Sequence, residues 1–192
     1  MKIEDKPLDP EASLLLIRQT IELAKRKVQE NGFHLLLWGV LVVAAGLTEF
    51  YQDLKFNQEH GHWAWMVMPL VGVPISIFYE IRHSKTKAHR NTIHQWYGYT
   101  WLGYGITLPL LIFYAIESEV SPTPAILAIT GFAIFVSGII IQFRPLVLGA
   151  VAIWAGSLCC LLVPSIWYAL IMSISIAVGY LIPGFLLYRT KN

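Results

Sequence analysis

From residue 145 to residue 188 the chain carries no Asp, Glu, Lys or Arg, a run of 44 residues. That is about twice the roughly 20 residues that cross a bilayer as a helix. Pro164 and Ser165 fall near its middle, where a proline that cannot donate a backbone hydrogen bond fits the first turn of a new helix better than the interior of an old one. The run therefore predicts two membrane helices joined by a tight turn.

The remainder repeats this pattern. With 192 residues, 56% hydrophobic and 14% charged, and a mean hydropathy of +0.57, the chain is too apolar for a soluble domain, whose charged share is about 25%. The net charge of +2 comes from basic residues dispersed among segment ends rather than gathered on one module, so nucleic acid is not an expected partner. Cys159 and Cys160 are adjacent inside an apolar stretch and lack metal or redox spacing. The first 30 residues are polar and amphipathic and have no secretory-signal layout, so the first span is expected to act as the insertion signal.

Charge-free windows predict six spans, at about 33–51, 62–81, 96–116, 123–143, 145–163 and 166–188. An even number puts both termini on one side, and that side then receives 13 of the 14 basic residues, leaving only Lys55 on the other. Because cytoplasmic segments are enriched in Lys and Arg, both termini are expected in the cytoplasm. Trp63, Trp65, Trp96, Tyr97, Tyr99, Trp101, Trp167 and Tyr168 mark span starts, where amphipathic rings favour the headgroup region. Trp38 and Trp154 lie deeper, and their indole N–H groups call for acceptors on neighbouring helices. Pro69, Pro74, Pro109 and Pro183 predict bends, with Ser76 available to satisfy a freed carbonyl. Gly72 with Ser76, Ala133 with Ser137, Ala152 with Gly156 and Ser175 with Gly179 stand four apart, a spacing that lets helix backbones approach.

Ahead of the first span, residues 10–30 read as a helix outside the membrane. Asp9, Pro10 and Glu11 supply a cap, a first-turn proline and a favourable charge, while Asn31 and Gly32 supply the stop. Leu14, Ile17, Ile21 and Val28 fall on one stripe, and Lys25, Arg26 and Lys27 close the segment. Two readings stay open: the helix lies on anionic lipid, or it docks on a protein partner or a second copy. Arg82, Lys85, Lys87 and Arg90 form a basic inner loop with the same two choices.

Candidates for chemistry are sparse. His60 and His62, with Glu49, Asp53 and Glu59 nearby in sequence, are a sensible ligand set for zinc, but no helix-spaced histidine pair accompanies them, so no metal site and no cofactor is expected. No Asp, Glu, Lys or Arg falls at the centre of any span, and the span serines have no histidine at their depth, which argues against an intramembrane enzyme or an ion-coupled carrier. Thr100, Tyr104, Thr107, Gly98, Gly103 and Gly105 make the third span the most polar. It is the helix expected to pack at the centre or, where a cavity exists, to line it.

Residues 29–39, Gln-Glu-Asn-Gly-Phe-His-Leu-Leu-Leu-Trp-Gly, carry the passage from amphipathic helix into span one. Here the chain resembles small multispan bacterial membrane proteins without an assigned activity. The resemblance implies a bacterial inner membrane and brings no catalytic residues with it. The expectation is an all-α polytopic protein: a cytoplasmic amphipathic helix in 1–32, six transmembrane helices in 33–188 and a cytoplasmic tail in 189–192. A non-catalytic accessory, regulatory or assembly role is favoured, with the bilayer and a protein partner or homo-oligomer as contacts. The alternative is a small oligomeric transporter or channel for a neutral or apolar solute.

Overall fold

The structure is a computed structural model that describes residues 14–15, 32–56, 63–83 and 92–189. Among these residues the protein is all-helical, without strands, and six of its helices are long and apolar enough to cross a membrane. The helices are α1 (Gly32–Phe56), α2 (Trp63–His83), α3 (Thr92–Glu117), α4 (Thr123–Ile141) and α5 (Arg144–Cys159). A sixth span, Ser165–Arg189, contains α6 (Tyr168–Ile176), a π-helical stretch at Ala177–Leu181 and α7 (Ile182–Arg189).

Local chemistry explains the joints. Glu119 and Gln142 adopt left-handed backbone, with φ of 53° and 58°, just after α3 and α4. In each case the following amide reaches back five residues, Val120 N–H to the Ala115 carbonyl and Phe143 N–H to the Gly138 carbonyl, which satisfies carbonyls that a helix end leaves open. Pro124 and Pro145 then stand at the start of the next helix, where a missing N–H costs nothing. The long charge-free run breaks where expected. A 3-10 turn at Cys160–Leu162 runs into extended Val163 and Pro164, and a second 3-10 turn at Ser165–Trp167 opens the sixth span. Pro183 lies just beyond the π stretch. Its ring crowds the carbonyl four residues back, that of Gly179, and it donates no bond to it, so the wider π turn falls where the α ladder is already interrupted.

The helices form an arc, in the order α2, α1, sixth span, α5, α4, α3. The α4–α5 pair is the most extensive contact, and the sixth span is wedged between α1 and α5. Small residues set these approaches. A Cβ on Gly149 would strike the Gly179 carbonyl, one on Gly156 would strike the Ser175 hydroxyl, and one on Gly131 would meet the Trp154 ring at 2.5 Å. Leu127, Ile134, Ile141, Leu146, Ile153, Ile176 and Leu187 fill the core between α4, α5 and the sixth span.

Two sequence expectations are corrected. The third span does not pack at the centre: α3 closes one end of the arc on α4, and only 6% of its most apolar window is buried, against 50% for the sixth span. Its polarity is absorbed locally, since Thr100 and Thr107 donate to the carbonyls of Trp96 and Gly103 on their own helix. Ser76 does not satisfy a carbonyl freed by proline, because its hydroxyl is buried without a hydrogen-bond partner.

Candidate interaction surface

Of the residues that the sequence nominates for contact, the structure describes Leu14, which is exposed, and Arg82, whose guanidinium lies 5.6 Å from the Phe78 ring centroid near the end of α2. Ile17, Ile21, Lys25, Arg26, Lys27, Val28, Lys85, Lys87 and Arg90 lie outside the described residues, as do His60 and His62. The described helix ends nevertheless show where these segments are rooted.

The start of α1 and the end of α2 are fastened together. His34 Nε2 lies 3.5 Å from a Glu80 carboxylate oxygen, Phe33 stacks on Tyr79 at 4.0 Å with an interplanar angle of 13°, and His34 meets Tyr79 edge-on at 5.5 Å. Gly32 fits against the end of the sixth span, where a Cβ would come within 3.2 Å of the Tyr188 backbone nitrogen. The roots of the N-terminal segment, of the basic 84–91 loop and of the C-terminal tail therefore meet at one end of the molecule. Sequence reasoning missed His34 and Glu80 as a pair. The antiparallel register of the first two spans was the signal that would have found them.

At the opposite end, α1 and α2 are joined by polar aromatic contacts. Trp65 Nε1 donates to Glu49 at 2.7 Å and Trp63 Nε1 to Gln52 at 3.1 Å, while Phe50 of α1 packs at 5.5 Å on Trp167 at the opening of the sixth span. These contacts explain why α1 continues past residue 51 to Phe56: its last turns pair with the start of α2 rather than with apolar surroundings.

Elsewhere polar side chains are spent on backbone. Trp154 Nε1 donates to the Ala128 carbonyl at 3.0 Å, answering its need for an acceptor on a neighbouring helix. Ser157 donates to the Pro124 carbonyl at 2.7 Å, and Ser173 to that of Ala169 at 2.8 Å. Trp38 packs against Gly72, one of the small residues expected to admit close approach. Among the described residues no group of three or more His, Cys, Asp and Glu is placed to hold a metal ion.

Among the described residues, the outer members of the arc offer the broadest unfilled surface. Helix α2 packs on α1 and α3 on α4, with no substantial contact between α2 and α3. On α3, Gly98, Gly103 and Gly105 face open space, with nothing within 4 Å of an added Cβ. Its inner side holds a cluster in which Trp101 lies between Tyr97, Tyr104 and Tyr180 at centroid distances of 6.2, 5.5 and 6.4 Å, and Tyr104 hydrogen-bonds Thr130 at 3.0 Å. The loop joining these two end helices is the basic 84–91 segment. Compared with known proteins, the chain matches no protein-family model, no curated protein and no solved structure.

Proposed function

We infer that this protein is a multi-pass membrane protein of a bacterial inner membrane, with both termini in the cytoplasm and a non-catalytic accessory, regulatory or assembly role. In this reading the amphipathic N-terminal segment and the basic loop present a cytoplasmic surface to a protein partner or to anionic lipid. The observation that carries it is the one-sided packing of α2 and α3, the two helices that the basic loop connects. Helices without a hydrophobic drive to associate in lipid gain by packing, and two end helices with an exposed long side leave room for a partner's transmembrane helix. The contacts of Phe33 and His34 with Tyr79 and Glu80, and of Gly32 with Tyr188, support the same reading, because the roots of the N-terminal segment, the loop and the tail then lie at one end.

A second reading, a small oligomeric transporter or channel for a neutral or apolar solute, is favoured by the open glycine faces of α3, which would line a path only where several copies meet.

Co-purification in mild detergent with crosslinking and mass spectrometry tests the first reading, comparing the full chain with one lacking residues 1–30. The expected result is a stoichiometric partner that is lost with the deletion. Self-association alone in both forms would overturn the docking role and favour the second reading, for which solute flux in liposomes is the direct assay.

A further inference from the structure

At the end of the molecule that carries Arg144 and Arg189, the turn between α4 and α5 frames an open groove of about 470 Å³ lined by Gly138, Ile139, Gln142, Phe143, Arg144 and Val147. Its lining sets apolar Ile139, Phe143 and Val147 beside polar Gln142 and the cationic Arg144. From the mouth an apolar rim continues along both helices, through Val147, Val151 and the Phe135–Trp154 ring pair at 5.4 Å, with Ile139 and Val151 left 54% and 53% exposed.

The charge around this groove is unbalanced. Arg144 is the first residue of α5, a position where the partial positive charge of a helix N-terminus favours an anion and disfavours a cation. No side chain caps this end, and its first turn holds no acidic residue. Residues 120–192 contain no Asp or Glu, so α4, α5 and the sixth span supply no carboxylate to Arg144. Glu80, at the same end of the molecule, stands on α2, separated in the arc by α1 and the sixth span. An arginine at a helix N-terminus, beside an apolar rim and without a carboxylate from the described helices packed around it, suits a ligand that is anionic at the head and apolar in the tail.

We propose that the α4–α5 groove binds one anionic glycerophospholipid of the leaflet on the Arg144 side. The phosphate accepts charge-assisted hydrogen bonds from the Arg144 guanidinium, whose planar fork suits phosphate oxygens. One acyl chain follows the rim of Ile139, Val147 and Val151. Gly138 keeps the two helices close enough at Val147 for the groove to have a floor, since a Cβ there would come within 2.9 Å of the Val147 side chain. The site goes beyond the proposed docking surface and is independent of the N-terminal segment.

Native mass spectrometry of the delipidated full chain tests it, with phosphatidylglycerol and phosphatidylcholine of matched acyl chains as probes. The first phosphatidylglycerol is expected to bind at about tenfold lower concentration than the first phosphatidylcholine, as one charge-assisted contact implies. Arg144→Gln should abolish that preference and Arg144→Lys should retain part of it. Ile139→Trp, which keeps the cation and fills the groove, should weaken the first binding event for both lipids. An unchanged preference in Arg144→Gln, or wild-type binding in Ile139→Trp, would overturn the proposal. Should Arg144→Gln fail to fold, the Arg144→Lys and Ile139→Trp titrations decide it alone.

Discussion

Glycine does two opposite things in this chain, and the difference lies in what stands opposite each one. Gly149 and Gly179 meet backbone to backbone across α5 and the sixth span, so a side chain on either would have to displace main chain rather than a flexible side-chain tip. Gly149→Val is therefore expected to destabilise the bundle by about 1–3 kcal/mol, the usual range for forcing extra methyl groups into a packed interior. Gly98→Ala meets nothing within 4 Å. It should be neutral, or stabilising by roughly 0.5–1 kcal/mol through reduced chain entropy. Unfolding titrations of the two purified variants in mixed detergent micelles check the contrast, and equal midpoints would show that the Gly149–Gly179 approach is not a tight contact. Ser157 offers a smaller probe of the α4–α5 seam. Losing its bond to the Pro124 carbonyl in Ser157→Ala should cost about 0.6 kcal/mol in the same titration, the average for such bonds between membrane helices.

The π stretch of the sixth span is an element-scale device. Gly179 must face Gly149 on α5, while five residues later Gly184 must face Leu35 on α1, and Tyr180 and Leu181 lie over Gly39. One extra residue in a helical turn shifts every later side chain by about 100° relative to the earlier ones, which is how a π turn re-aims the helix end. Deleting the exposed Val178 inside the stretch should therefore let it close into regular α-helix with the flanking contacts kept. Deleting the equally exposed Ile174 in the regular part should rotate α7 off α1 and α5. The expected outcome is monodisperse protein for the Val178 deletion and aggregate for the Ile174 deletion on size-exclusion chromatography in mild detergent. The reverse, or equal, behaviour would sink this account of the turn.

This element also marks how far sequence reading reaches. Charge-free runs and the break at Pro164 were legible because desolvating charge and removing a backbone donor are strong local effects. A π turn depends on which neighbours face Gly179 and Gly184, and that is not local. The placement of α3 was misread for a related reason. Threonines that bond to their own helix look polar in sequence but need no polar surroundings, so they did not mark a central helix. The small-residue pairs told which faces pack, as at Gly156 and Ser175, but not against whom. The pairing of His34 with Glu80 and the groove at Arg144 required the antiparallel register in three dimensions.

On the scale of the whole molecule, the proposed docking surface rests on one premise: that the end bearing Arg82, Arg144 and Arg189 faces the cytoplasm. The premise rests on the division of 13 basic residues against Lys55 alone, a bias of the kind that sets orientation during insertion. It can be tested without reference to function. The α3–α4 turn and the α4–α5 turn lie at opposite ends of α4, and both Ser118 and Gln142 are exposed. After Cys159 and Cys160 are replaced by Ala, Ser118→Cys should react with a membrane-impermeant maleimide on intact spheroplasts. Gln142→Cys should react only after permeabilisation. Labelling of Gln142→Cys from outside would invert the molecule, put Arg144 in the outer leaflet and deprive the N-terminal segment of any cytoplasmic partner. Labelling of both from outside would mean a mixed population, which a thirteen-to-one charge division argues against. If only Ser118→Cys reacts from outside, exchanging Lys55 for Gln should leave the pattern unchanged, because the remaining positive charge lies wholly on the other side. Inserting several lysines beside Lys55 should instead raise the labelling of Gln142→Cys from outside, since the orientation is then set by opposing charges of comparable weight.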